Sequence, residues 1–245
     1  MREFSDLTSI FMSIVMTKYV LANWKSHKTV EEGKQWLAEF FKVYRPDPQV
    51  EIILAPSYIH LVPLYNMLQN MEFPSLSLAV QDLSPFPLGA YNGAVAAAMV
   101  RDMADYAIIG HSERRRYFHE TDQDVANKVS EARSADIKPI VCVDQPYARS
   151  QMAALREDDL NDLIIGYGPV GAIGINIPQS PAKTREKIEE ISIIAPDKPI
   201  LYGGSINQDN AGDYLKIPGV AGLMAGTASL DPEEFALICR TASLA

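Results

Sequence analysis

Residues 105–143 read DYAIIGHSERRRYFHETDQDVANKVSEARSADIKPIVCV. An apolar run, DYAIIGH (105–111), passes into a polar stretch. Thr121 then precedes an acidic first turn and the amphipathic segment TDQDVANKVSEARS (121–134), and a second apolar run, KPIVCV (138–143), follows. Threonine before acidic residues is a helix-start signal. The apolar runs are continuous rather than alternating, as parallel strands buried on both faces require. The stretch therefore predicts a strand, a helix and a second parallel strand.

The same alternation extends in both directions. Further strand candidates are KYVLAN (18–23), VEIILAP (50–56), SLSLAVQ (75–81), DLIIGY (162–167), PILYGG (199–204) and VAGLMAG (220–226). Between them lie helical patterns such as TVEEGKQWLAEFFKVY (29–44) and SPAKTREKIEEISII (180–194), and Asp231–Pro232–Glu233 opens a last helix. About eight β–α repeats joined by right-handed crossovers favour a closed (β/α)8 barrel over an open doubly wound sheet. No GxGxxG follows the first strand, which weakens a dinucleotide-binding reading. We expect one barrel domain over 18–245, preceded by an N-terminal extension, 1–17. That segment carries Glu3 and Asp6, shows no small-residue cleavage site, and is too short and polar to span a membrane.

The chain has 245 residues, 47% of them hydrophobic and 22% charged, ample for a large core. A formal net charge of −9 argues against nucleic acid and anionic membranes as partners. It leaves room for an anionic ligand, since one lysine and a few backbone amides make a local positive pocket. Cys142 and Cys239 have no metal-type or disulfide spacing, so a reducing cytoplasm is the expected setting.

In such a barrel the site lies where strands end. The first strand ends in Asn23–Trp24–Lys25, and the fourth runs into His111 at the start of a short helix. The seventh ends in YGGS (202–205) and the eighth in AGTAS (225–229). Taken singly, each has a plain reading: a solvated lysine, a structural histidine, tight glycine turns. Together, two small-residue loops at neighbouring strand ends suit a phosphate. A histidine at a helix start is held neutral by the helix's positive end, so it can donate a hydrogen bond to a carbonyl.

In order and at matching strand ends, ANWK, AIIGHSERRRYFHETDQDVANKV, GYGPVGAIG, YGGSI and GLMAGTASL resemble the triosephosphate isomerase family over roughly residues 18–243. The resemblance implies interconversion of dihydroxyacetone phosphate and glyceraldehyde 3-phosphate without metal or organic cofactor. It makes Lys25 the electrostatic lysine, His111 the electrophile, Asn23 an orienting group and Glu113 a buried acidic partner of Lys25. It assigns phosphate binding to backbone amides at Gly174, Ser205, Gly226 and Thr227. It further implies a homodimer through the loop QDLSPFPLGAYNGA (81–94), with Tyr91 near its tip, although Pro85, Pro87 and Ala94 differ from the usual pattern.

The family's catalytic glutamate belongs in Tyr167–Gly168–Pro169–Val170, and Gly168 occupies its place. Gly171 stands where many members carry a bulky hinge tryptophan, and Thr227 replaces a second phosphate-loop glycine. Loss of a positioned base is expected to cost about 3–5 kcal/mol in barrier. Among substitutes, Glu113 is expected to be tied to Lys25, Asp144 to need to reach across the mouth, and Tyr167 to point away from residue 168. Alternatives remain open: an isomerase or lyase acting on another small sugar phosphate with a base from elsewhere, or a non-catalytic sensor or structural subunit. His27, His60 and His119 read as loop or helix-face residues, Glu189 and Glu190 as a solvated face, and Phe40, Phe41 and Tyr44 as packing.

Overall fold

In a computed structural model that describes residues 17–71, 73, 75–172 and 177–245, parallel strands close into a barrel in strict sequence order. They are β1 (Lys18–Asn23), β2 (Val50–Ala55), β3 (Leu76–Val80), β4 (Tyr106–Ile109), β5 (Lys138–Val143), β6 (Ile164–Tyr167), β7 (Ile200–Tyr202) and β8 (Val220–Ala225). β1 closes the ring against β8, with Ala22 beside Ala225, and pairs on its other edge with β2, with Asn23 beside Ala55. The fold is a (β/α)8 barrel. Every stretch read as a strand contains one. The residues trimmed from their carboxyl ends, among them Gly110, His111, Gly204 and Gly226, form the mouth.

Two apolar layers explain why the strand sequences do not alternate. Leu21, Ile53, Ile108, Ile140, Ile164 and Leu201 fill the barrel interior. Val20, Ala22, Ile52, Leu54, Ile109, Val141, Ile165 and Tyr202 face outward into the shell of helices. With both faces buried, every second residue has no reason to be polar.

The helices are α1 (Val30–Val43), α2 (Tyr58–Gln69), α3 (Ser112–Tyr117), α4 (Asp122–Ser134), α5 (Ala148–Ala153), α6 (Pro181–Ile194), α7 (Ala211–Leu215) and α8 (Pro232–Ala242). Thr29 with Glu32, and Thr121 with Asp124, form reciprocal capping boxes that start α1 and α4. Asp231 accepts from the N–H groups of Glu233 and Glu234 at 2.9 and 2.8 Å and, with Pro232 behind it, starts α8. Trp36 and Phe40 of α1 stack with centroids 5.1 Å apart, against Trp24 and Phe235. Phe40 and Tyr44 are buried and Phe41 packs on them, the packing role expected.

The expected extension lies, apart from Thr17, outside the described residues. Among the described residues no helix is long and apolar enough to cross a membrane.

Candidate functional site

At the carboxyl ends of the strands a cavity of about 290 Å³ opens above the inner core, with Ile108, Cys142 and Met224 in its floor. Asn23, Lys25, His111, Gly168, Ser205, Gly226 and Thr227 all line it. Six strands thus bring to one place residues that lie up to 204 positions apart in the sequence.

Lys25 is held from three directions. Trp24, fully buried, anchors the end of β1 in the outer core. Lys25 itself has a φ of +52°, a left-handed conformation that costs a non-glycine residue energy unless its surroundings fix it. They do so here: its N–H donates to Asn23 Oδ1 at 3.0 Å, and Gln81 Nε2 donates to its carbonyl at 2.9 Å. Its Nζ meets Glu113 Oε1 at 2.5 Å. Glu113 is tied to Lys25 as expected but is not buried; 35% of its side chain is exposed, because the pair sits at the rim of the mouth.

His111 caps α3. Gly110 before it needs its missing side chain: φ is +73°, and a Cβ would fall 2.9 Å from Val125 Cγ2 and from Arg115 Nη2. The N–H of Glu113 donates to His111 Nδ1 at 3.2 Å. An accepting Nδ1 assigns the neutral ring its proton on Nε2. Burial is the main force lowering the imidazole pKa; Lys25 and Arg114 act in the same direction, and Glu113 and Glu120 oppose them. The helix start thus contributes as one directed donor, with desolvation the larger influence.

The loop after β7 is tightly constrained. A Cβ on Gly204 would lie 2.7 Å from Tyr202 Oη and 3.3 Å from Ala172 Cβ. Ser205 follows with φ of +51°. Its Oγ donates to Ala172 O at 2.8 Å, and Asn210 Nδ2 donates to its carbonyl at 3.0 Å. After β8, Gly226 caps the short turn Thr227–Ser229, and Ser229 Oγ donates back to Gly226 O at 2.7 Å. Gly174, the fourth residue read as a phosphate ligand, lies outside the described residues.

The β5–β6 side is barer. Gly168 lines the cavity with no side chain. Tyr167 points outward, buried against Tyr202, with its hydroxyl on Gln179 Oε1 and its pKa pushed by burial to about 12. Asp144 does not have to reach across the mouth: β5 is the immediate neighbour of β6, with Val143 beside Tyr167, and Asp144 lines the same cavity as Gly168.

The family model described as triosephosphate isomerase matches residues 18–242. This chain belongs to the triosephosphate isomerase family. Curated relatives carrying that name include one from Symbiobacterium thermophilum, 33% identical over 93% of this chain and 97% of its own length. Others are from Thermodesulfovibrio yellowstonii, 35% identical over 91% and 98%, and Mycoplasmopsis agalactiae, 34% identical over 88% and 93%.

Several supports in this triosephosphate isomerase relative were not visible from motifs. Gln81, by sequence a strand end and loop start, donates to the carbonyls of both Lys25 and Ala55 at 2.9 Å. Beneath α3, Arg114 bridges Asp82 and Glu120, each at 2.8 Å, and the buried Lys128 reaches Asp82 at 2.6 Å and Glu120 at 3.2 Å. Lys128 falls on the apolar face of α4, between Val125 and Val129, and that misplacement was the available signal. His60 lies on the buried face of α2, with its ring nitrogens on Ser57 Oγ at 2.8 Å and Thr29 O at 3.0 Å. His27 and His119 are exposed.

Proposed function

We propose that this protein binds a phosphorylated triose, dihydroxyacetone phosphate or glyceraldehyde 3-phosphate, in the mouth cavity, and that aldose–ketose isomerisation there is strongly impaired. One observation carries the reading: Lys25, His111 and the loops after β7 and β8 line a single cavity to which, among the described residues, β6 and its loop contribute only Gly168. In this reading the backbone amides of Ser205, Gly226 and Thr227, with Gly174, hold the phosphate. The carbonyl then receives a hydrogen bond from His111 Nε2–H, and Lys25 faces the oxygen that becomes negative. Asn23 serves through the Lys25 backbone and Glu113 through the Lys25 ammonium. Triosephosphate isomerase is itself the standard case of a carboxylate base working with a neutral imidazole electrophile.

A carbon acid adjacent to a carbonyl is weak, so its deprotonation depends on a placed base. Without one at position 168 the barrier rises by about 3–5 kcal/mol, while binding and oxyanion stabilisation persist. Calorimetric titration with dihydroxyacetone phosphate and a coupled isomerase assay test both halves. Heat of binding with weak turnover is expected. Turnover equal to that of active relatives measured alongside overturns the impairment, and absence of binding overturns the site.

A homodimer through residues 81–94 belongs to the same reading. Leu88 is 64% exposed there, and Phe86 and Tyr91, their rings stacked, are each 44% exposed, an apolar tip that a partner would cover. Sedimentation at monomer mass overturns it.

A further inference from the structure

β5 and β6 run in register, with Cys142 beside Gly166 and Val143 beside Tyr167. Successive side chains along a strand alternate faces, so the inward set of β5 runs Ile140, Cys142, Asp144, and that of β6 runs Ile164, Gly166, Gly168. Ile140, Cys142 and Ile164 pack together inside the barrel, and Asp144 and Gly168 line the cavity above them. Carrying the register one residue further sets Asp144 laterally beside Gly168, at the strand spacing of about 4.8 Å. The Asp144 backbone is fixed, its N–H donating to Gln151 Oε1 at 3.0 Å. Its carboxylate leans over the turn that follows Gly168, where Oδ1 accepts from Val170 N–H at 3.5 Å. That contact is at the outer limit for a hydrogen bond; with the adjoining Gln145 N–H it holds the carboxylate only weakly, leaving it able to turn to a ligand.

We propose that Asp144 is the proton acceptor of this site, a carboxylate supplied by the neighbouring strand for the one Gly168 lacks. The proposal rests on the triose-phosphate reading and names the route of whatever turnover remains. The Asp144 carboxylate takes a proton from the hydroxymethyl carbon next to the ketone. The C–H electron pair becomes the C=C bond of an enediolate, and the carbonyl π pair moves to oxygen, where Lys25 and His111 Nε2–H receive it. Return of the Asp144 proton to the adjacent carbon, with proton transfer between the two oxygens through His111, gives the aldehyde and restores every group.

Other groups on the cavity wall are poorer acceptors. Burial pushes the Cys142 thiol up to about 12. Arg115 offers N–H donors and no acceptor atom. Glu234 belongs to the first turn of α8, beside the loop that carries Gly226 and Thr227 and away from Gly168. Asp144 itself is raised above the ordinary aspartate range by burial, against the pull of the Val170 and Gln145 N–H groups and of Arg115. That shift makes it a stronger base than a solvated aspartate.

The test follows deuterium uptake from D2O into dihydroxyacetone phosphate by NMR, with binding of the same compound measured by calorimetry. The proteins are wild type, Asp144→Asn, Asp144→Glu, Gly168→Glu and the Asp144→Asn/Gly168→Glu double variant. Asparagine keeps the acceptor for Val170 N–H, so a purely structural role leaves uptake unmoved. A catalytic role lowers uptake about 10²-fold with binding retained, and Asp144→Glu keeps more of it. In the Gly168→Glu background the same Asp144→Asn change costs much less, because the two carboxylates then share one task. Asp144→Ser gives an equivalent reading where the asparagine variant fails to fold. Uptake at the wild-type rate in Asp144→Asn, or wild-type binding without uptake, overturns the role of Asp144 and leaves the triose-phosphate reading intact. Failure of wild type to bind overturns both.

Discussion

The mouth of this barrel has two unlike halves. On the β1–β4 side, Lys25 is gripped at its N–H, its carbonyl and its ammonium, and His111 is fixed by a helix start and a positive-φ glycine. On the β5–β6 side stand Gly168, a loosely held Asp144, and Gly171, around which a Cβ would meet nothing within 4 Å. The first half is built to hold charge at fixed points, which preorganised catalysis requires. The second has room and freedom where a side chain would have to meet a carbon-bound proton. Under the proposed reading, binding and electrophilic assistance persist while proton transfer weakens, because different strands carry them.

The largest expected effect comes from furnishing the bare half. Gly168→Glu should raise kcat about 10²–10⁴-fold in the coupled assay, and no gain would mean that this half is bare for another reason. Next is damage to the furnished half. In the Gly168→Glu background, Lys25→Met should lower kcat about 10²–10³-fold, the usual cost of removing one oxyanion-stabilising group. The seam between halves comes third. Ser205→Ala removes the Oγ–H bond to Ala172 O and should cost about 0.5–1.5 kcal/mol, read from the urea midpoint at unchanged m-value.

The smallest effect is a pH dependence. Folding lowers the His111 pKa, so the unfolded chain binds the proton more readily as pH falls through the ordinary histidine range near about 6.5. The stability that His111 contributes is present above that value, declines as pH falls below it, and stops declining beneath the folded pKa. His111→Gln should flatten that part of the stability–pH curve in denaturant titrations. An unchanged slope would show that His111 is not held neutral.

Much of the fold was legible because two-sided burial writes itself as uninterrupted apolar runs, and the Thr121 and Asp231 caps mark helix starts directly. The rim was also legible, since Lys25, His111, Ser205 and Gly226 follow immediately on those runs. What escaped were relations between strands. Gln81 and Lys25 are 56 residues apart and meet only when β1, β2 and β3 are side by side. The resemblance implies a buried Glu113, but the barrel's edge leaves about a third of its side chain exposed. The two-residue period from Cys142 points Asp144 inward, but its nearness to Gly168 depends on β5 and β6 being neighbours, which the sequence alone does not display.

Gln81 and Asp82 sit side by side where β3 gives way to the 81–94 excursion. The first clamps the backbone under Lys25, and the second is wired through Lys128 and Arg114 to the floor of α3. This dipeptide works as a common hinge-pin: twisting the root of the excursion would strain the mountings of the lysine and the imidazole at once. Grafting or shortening that segment for engineering should therefore begin after Asp82, with both residues left in place.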